Sequence, residues 1–321
     1  MMRSLLRREM ALFAVLVVMF VAFSIGVEGF FDWFNILNRA RYWVVPGMIA
    51  VPMTFIIATA GIDLSVASIV ALSGITLGIL FNDAHLPIAL ACLGAVAAGA
   101  CAGAFNGSII SFIGVPPLVV TLATMALFRG LAMGFTKGAS LGGFPDGFEW
   151  ISQGDLFALP LRAPAYVPVP VVALIAIVVA GGLLLRRTWV GRFTEYIGEN
   201  PVAARFAAIN VQWLTFGIYT ACGAVCGLAA MFHTALYATA KADTAQGLEL
   251  EVIACVVVGG TRISGGSGSV LGTLLGLIIL GILRYGLEMA GVRSQFIIIL
   301  VGVLLIVTAV FNEWIGARGT R

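Results

Sequence analysis

Residues 56–72 read IIATAGIDLSVASIVAL. The run is apolar except around Asp63, which stands between Gly61 and Ser65. A charged side chain at the centre of a spanning helix costs about 2.5–3.5 kcal/mol. The fold turns on whether this run is one helix carrying a charge or two helices meeting at a break. Ser and Asp are N-cap residues, whose side-chain oxygens accept from unpaired backbone N–H groups. Such orphan groups are especially costly in hydrocarbon. Asp63 or Ser65 is therefore expected to start a new helix, with Gly61 permitting the sharp turn before it. A functional reading makes Asp63 a substrate or proton ligand. Its place near the inner end of a span favours the structural one.

Around this stretch, the chain of 321 residues is 61% hydrophobic and 10% charged, with a mean hydropathy of +1.08. That composition leaves too little polar surface for a soluble domain. Apolar runs near 20 residues recur along its length, enough to cross a bilayer as helices. The expectation is an all-α polytopic membrane protein, a single transmembrane domain over residues 1–321, with about ten transmembrane helices. The runs are 10–29, 44–60, 65–81, 87–107, 116–135, 167–186, 212–234, 247–260, 269–285 and 295–312. The eighth is short. The N-terminus has the basic head and apolar run of a signal peptide, but poorly placed cleavage residues favour an uncleaved first helix.

A net charge of +3 is too small to indicate nucleic-acid binding, and reads instead as a topology signal. With the N-terminus inside, Arg3, Arg7, Arg8, Arg186, Arg187, Arg192, Arg205, Arg262, Arg318 and Arg321 lie inside; Arg39, Arg41, Lys137, Arg162, Lys241 and Arg293 lie outside. The inner excess agrees with that orientation, and an even number of spans puts both termini in the cytoplasm. Trp33, Trp43, Trp189, Trp213 and Trp314 fall just beyond span ends, where amphipathic rings favour the interface. Tyr237 and Tyr285 also read as interfacial rings. An outer loop covers 136–166, with Asp146, Glu149 and Asp155; it is a docking surface or a solvated connector. An inner loop covers 187–211.

Gly247-Leu248-Glu249-Leu250-Glu251-Val252 matches Gly61–Val66 in pattern, five spans later. An odd offset is what an inverted 5+5 repeat produces; chance similarity in a biased composition is the alternative. Glu249 and Glu251, with Asp63, Ser65, Asn106 and Arg129, are the candidate residues for a translocation path or for buried structural polarity. Arg129 must snorkel or pair, as an interface anchor or a pore-lining cation. Asn106 is expected to bond a neighbouring helix, and His233 to be a structural hydrogen-bonding group. The glycine series 99, 103, 107 and 268, 272, 276 offer small faces for close helix approach.

No nucleotide-binding G-x-x-x-x-G-K-[ST], no H-E-x-x-H and no nucleophile–base–carboxylate set occurs. GGTRISGGSGS (259–269) lacks the phosphate-binding Lys and reads as a turn. The five cysteines lack partners at ligand spacing and read as small buried hydrophobes. No catalytic residue, metal site or cofactor is expected; the energy for any work comes from a gradient or from another chain. In the inner loop, Asn200 is a good N-cap, Pro201 suits the first helical position, and Ala203-Ala204 favour a short surface helix.

Four stretches, GIDLSVAS (61–68), FNGSIISFIGVPPLVVTLATMALFRGLA (105–132), GENPVAARFAAINV (198–211) and GLELEVIACVVVGGTRISGGSGSVLGTLLG (247–276), resemble the membrane-spanning permeases of bacterial ATP-binding-cassette monosaccharide importers, the ribose-type family. The resemblance is co-linear over nearly the whole chain. Ala67 stands where such permeases carry Gly after DLSV, and Phe206-Ala207-Ala208-Ile209 stands where they tend to Leu-Ser-Gly-Ile. The resemblance implies two permease subunits, identical or homologous, in the inner membrane lipid. It also implies two cytoplasmic ATP-binding subunits below and a periplasmic sugar-binding protein above. Gly198, Asn200, Pro201, Ala203, Ala204 and Arg205 would form the segment coupled to the ATPase. The stretch Ala238–Asp243 resembles permeases for rhamnose and autoinducer-2; a pentose or deoxyhexose such as rhamnose or ribose is the expected cargo, with autoinducer-2 as the alternative. An ion-coupled secondary transporter using Asp63, Glu249 or Glu251 is the competing class.

Overall fold

The computed structural model describes residues 2–159 and 165–319. Arg162 and Arg321 lie outside them, and the side chains of Arg3, Arg7, Arg8, Arg318 and Trp314 lie outside the described side chains. All ten apolar runs are helical. They form α1 (Met2–Gly26), α2 (Trp33–Ala58), α3 (Val66–Asn82), α4 (Ile88–Ser108) and α5 (Pro117–Thr136) in the first half. The second half has α7 (Val169–Arg187), α10 (Val211–Tyr237), α11 (Leu248–Val258), α12 (Val270–Met289) and α13 (Ser294–Gly319). Shorter helices are α6 (Trp150–Gln153), α8 (Trp189–Glu199) and α9 (Pro201–Phe206). A single π turn, Ile109–Ile113, extends α4 to Gly114, which ends it at φ 85°.

Among the described residues, seven helices are long and apolar enough to cross a membrane. The 17-residue α3 and the Ser294–Val310 part of α13 are apolar but shorter. The eighth run is only 11 residues of helix, α11. At 1.5 Å per residue it covers about 16 Å, roughly half of a 30 Å hydrocarbon core.

The expectation of an all-α chain needs one correction. Strands Asp155–Leu159 (β1) and Ala165–Pro168 (β2) pair antiparallel within the 136–166 loop. Nor is that loop a free connector. Arg41 of α2 donates to the Ser152 and Gly154 carbonyls at 3.0 and 3.2 Å and pairs with Asp155 at 2.6 Å. Ser152 Oγ donates to the Phe232 carbonyl of α10 at 2.6 Å. Leu141 and Ala240 exchange backbone hydrogen bonds at 2.9 and 2.8 Å.

The core lies along the second half of α2, where every residue from Val44 to Ala58 is buried. Two interior prolines, Pro46 and Pro52, remove backbone donors there. Thr54 Oγ1 adds a bond to the Ala50 carbonyl and one with Thr273 Oγ1 of α12, both at 2.8 Å. Around α2 the packing is crossed: α3 lies against α10, and α11 lies against α2. Tyr285 is a further correction. It is buried, with its ring centroid 5.2 Å from that of Phe30, because α1 covers the part of α12 that sequence placed at the interface.

Close approach is bought with glycine. A Cβ on Gly99 or Gly103 of α4 would collide with the Gly223 or Tyr219 carbonyl of α10, and one on Gly223 would collide with the Gly99 carbonyl. Gly272 and Gly276 of α12 meet Gly259 and the Cys255 carbonyl in the same way. In lipid, where there is little hydrophobic drive between helices, this backbone contact supplies the packing. Gly223→Val should therefore destabilise the protein by at least about 1–3 kcal/mol, the usual range for overpacking. Thermal unfolding in detergent reads this, with Gly130→Ala, where nothing lies within 4 Å of a Cβ, neutral to stabilising by up to about 1 kcal/mol.

Candidate functional site

Two places gather the residues singled out by sequence: the α8–α9 segment, and the break between α2 and α3.

α8 buries Gly191, Thr194 and Ile197, one stripe at helical spacing, and exposes Trp189 and Tyr196. It ends at Asn200, whose Oδ1 accepts from the N–H groups of Val202 and Ala203, each at 3.0 Å. Pro201 occupies the first turn of α9, where its missing N–H has no cost. Ala204 is buried with Ile197, Ile209 and Val211. Val202, Ala203, Arg205 and Phe206 point away from the bundle, and Phe206 is 88% exposed. Val202, Ala203 and Phe206 thus form an exposed, mainly apolar face on a helix anchored by a cap and a small core.

Gly198 fastens this segment to the bundle. A Cβ there would collide with the Ala58 carbonyl, and would lie 2.5 Å from Gly266 N. Gly266 N itself donates to the Ala58 carbonyl at 3.0 Å. The turn 259–269 thus packs into the junction of α2 and α8. Burial raises the Glu195 carboxyl above the ordinary value; the amide of Gly268 opposes that shift and the Glu199 charge adds to it. Sequence reasoning missed Glu9, a buried acid that accepts from Arg186 of α7 and from Ser269 Oγ, the N-cap of α12. Its position in the first helical run, before the span proper, gave no local signal.

α9 closes with Ile209 N donating to the Ala204 carbonyl (3.1 Å) and Ala208 N to that of Arg205 (3.0 Å). This turn needs a left-handed residue, and Ala208 supplies it at φ 59°. That is the position where the ribose-type permeases tend to Gly.

At the break, Asp63 Oδ1 accepts from Ser65 N (2.8 Å) and from Ser65 Oγ (2.6 Å). Ser65, the N-cap residue of α3, makes no cap hydrogen bond with its own side chain, and Asp63 satisfies its N–H instead. Asn106 Nδ2 of α4 donates to Ser65 Oγ (2.8 Å), and Thr121 of α5 to the Ile62 carbonyl (3.2 Å). A Cβ on Gly61 would lie 2.7 Å from the Tyr219 hydroxyl of α10. Four helices thus meet at one fully buried polar cluster. Among the described residues, Asp63 Oδ2, Asn106 Oδ1 and the Tyr219 hydroxyl have no partner.

The other candidates do not join it. Arg129 Nη1 donates to the carbonyls of Ala242 and Thr244, each at 2.7 Å, and so clamps the loop before α11. Glu249 acts on Arg129 only through its charge. Glu251 receives both its oxygens' bonds from Arg284 Nη1, at 3.1 and 3.2 Å. Arg284 had not been read from sequence; asking which cation answers each intramembrane acid would have found it.

A family of permease components, described for branched-chain amino acid transport systems, matches residues 35–309. The chain belongs to this permease family. Among its relatives is the autoinducer 2 import system permease protein LsrD of Photorhabdus luminescens, 33% identical over 308 residues, covering 94% of this chain and 90% of that one. The protein of the same name from Escherichia coli strain K12 is 33% identical over 329 residues, covering 98% and 97%. No solved structure matches the chain significantly. The family and the helices together make this a multi-pass membrane protein of the ribose and autoinducer-2 type of permease.

Two variants follow from this geometry. Ala208→Gly relieves a left-handed alanine and should raise stability by about 1 kcal/mol, read as a higher unfolding temperature in detergent. Asp63→Ala leaves Ser65 N–H unpaired in a dry site and should lower stability by about 1–3 kcal/mol, read in the same assay.

Proposed function

We propose that this chain is the membrane-spanning subunit of an ATP-driven importer for a sugar-like solute, with autoinducer-2 the favoured cargo and a pentose or deoxyhexose such as ribose or rhamnose the alternative. The observation that carries the reading is similarity to autoinducer-2 import permeases along essentially the full length of both chains. The ATP chemistry belongs to two cytoplasmic partner subunits. Two permeases, identical or homologous, enclose the path in the inner membrane, and a periplasmic binding protein delivers the solute.

The bundle has about ten membrane segments, α11 alone reaching only part-way through, with both termini in the cytoplasm. Crossed packing of α3 on α10 and of α11 on α2 supports an inverted 5+5 repeat, since each short helix then lies against the second long helix of the opposite half. The α8–α9 segment is the surface gripped by the ATPase, through Asn200, Pro201, Ala203, Arg205 and Phe206, while Gly198 and the buried Ala204 hold it to the bundle. Its exposed Val202, Ala203 and Phe206 suit an apolar groove on a partner, while the Asn200 cap and the Gly198 contact keep it rigid. Alternating access then needs only rocking of the two halves, driven by differential ATPase contact with the two states.

Asp63, Ser65 and Asn106 hold structure in this reading, and Arg129, Glu249 and Glu251 organise the start of α11. One oxygen of Asp63 is spent on the start of α3, and the other has no partner among the described residues. The relatives, rather than this geometry, favour the importer reading over ion coupling.

Ala203→Arg should leave the protein inserted and folded, yet abolish ATP-dependent uptake and ATPase co-purification. Normal uptake by that variant would remove α9 from the coupling role. Uptake by the chain alone under a pH gradient would replace the importer reading altogether.

A further inference from the structure

α7 and α10 both pack on α2, and the space between them is a groove of about 750 Å3. Val51, Pro52 and Phe55 of α2 form its floor, and Val190 and Phe193 of α8 close one end. Apart from the indoles of Trp189 and Trp213, Asn210 is the one polar side chain in the lining among the described residues. Its Oδ1 is taken up by the Trp213 N–H at 3.2 Å. Along α10 the lining runs from Trp213 to Val225, a rise of about 18 Å at 1.5 Å per residue. That is close to one leaflet, half of a hydrocarbon core of about 30 Å.

The end beside α8 has the chemistry of a membrane interface. Trp189 and Trp213, both exposed, flank the mouth. Arg187 lies three residues beyond Leu184, and Arg192 three beyond Trp189, so each guanidinium can reach that mouth from a neighbouring position on its helix. Both are exposed, and among the described residues neither side chain has a hydrogen bond or an ion pair. The acids of α8 are engaged elsewhere: Glu195 accepts from the Gly268 amide, and Glu199 lies against Gly266. Thr188 donates its hydroxyl to the Leu184 carbonyl at 2.6 Å, which leaves the first N–H groups of α8 without a side-chain cap.

We infer that this groove seats an acyl chain of an anionic phospholipid, with the phosphate at Arg187 and Arg192. An apolar wall one leaflet deep matches the chain, and unanswered cations at the interface match the headgroup. A water-soluble ligand would find almost no polar partner along the groove. A helix of a second copy would need a face running the whole core. A two-fold contact would also bring the same arginines together with no carboxylate on this face to meet them. The site stands whether or not the chain is an importer; that reading only names the leaflet as the cytoplasmic one.

The test is native mass spectrometry of the full chain, delipidated in detergent and titrated with phosphatidylglycerol or phosphatidylcholine carrying identical palmitoyl and oleoyl chains. Phosphatidylglycerol is expected to bind at one site per chain, at least about tenfold tighter than phosphatidylcholine, since each arginine near a headgroup contributes about fivefold. Gly217 lines the groove and Gly182 does not, and nothing lies within 4 Å of a Cβ on either. Gly217→Trp should weaken binding at least about tenfold by filling the groove, without lowering the unfolding temperature; Gly182→Trp should leave binding unchanged. Arg187→Gln combined with Arg192→Gln should keep a lipid bound but bring the two headgroups within about twofold of each other. Equal affinity of the parent chain for both lipids, or undiminished binding by Gly217→Trp, would overturn the assignment. So would a Gly217→Trp chain that loses a second copy of itself instead of lipid, which would make the groove a subunit interface.

Discussion

The structure depends on how the chain breaks a helix inside an apolar bundle without stranding backbone donors. Water cannot repair such a break in hydrocarbon, so the protein must. Asp63 does it by accepting the Ser65 amide, and Ser65 then recruits Asn106. Because the partners come from α4 and α5, the repair of one local defect also fixes where those helices stand. Gly61 completes it, as only glycine leaves room for the Tyr219 hydroxyl. The carboxylate that looked misplaced in an apolar run is the bond that lets α3 begin.

With α3 placed, glycine governs the remaining distances. α4 and α10 approach through Gly99, Gly103 and Gly223, and α11 and α12 through Gly259 and Gly272. Charges follow the same economy. Glu9, Glu251 and Glu288 each face an arginine from a different helix, so acids in an apolar setting serve as cross-links.

Much of this was legible in the sequence because its signals are local. Apolar runs of span length, the Asn200-Pro201 cap, the Gly61–Ser65 break and the small-residue faces each rest on a few adjacent residues. Four co-linear stretches were enough to indicate the permease family. What was not legible depended on distant partners. Arg284 answers Glu251 from 33 residues away, and Glu9 reaches Ser269 across the chain. Tyr285 read as interfacial because nothing in its own helix shows that α1 covers it. The strand pair at 155–168 was hidden by a Gly- and Pro-rich segment that reads as loop.

The contact of Gly198 with the end of α2 has a mechanical consequence. Surface helices are commonly tethered by linkers that absorb displacement. Here the backbone of α8 lies directly on the last carbonyl of α2, with the 259–269 turn wedged against both. No compliant element intervenes between α9 and the point where α2 hands over to α3. A push on α8 would therefore reach that corner, where the short helix α3 begins, without slack.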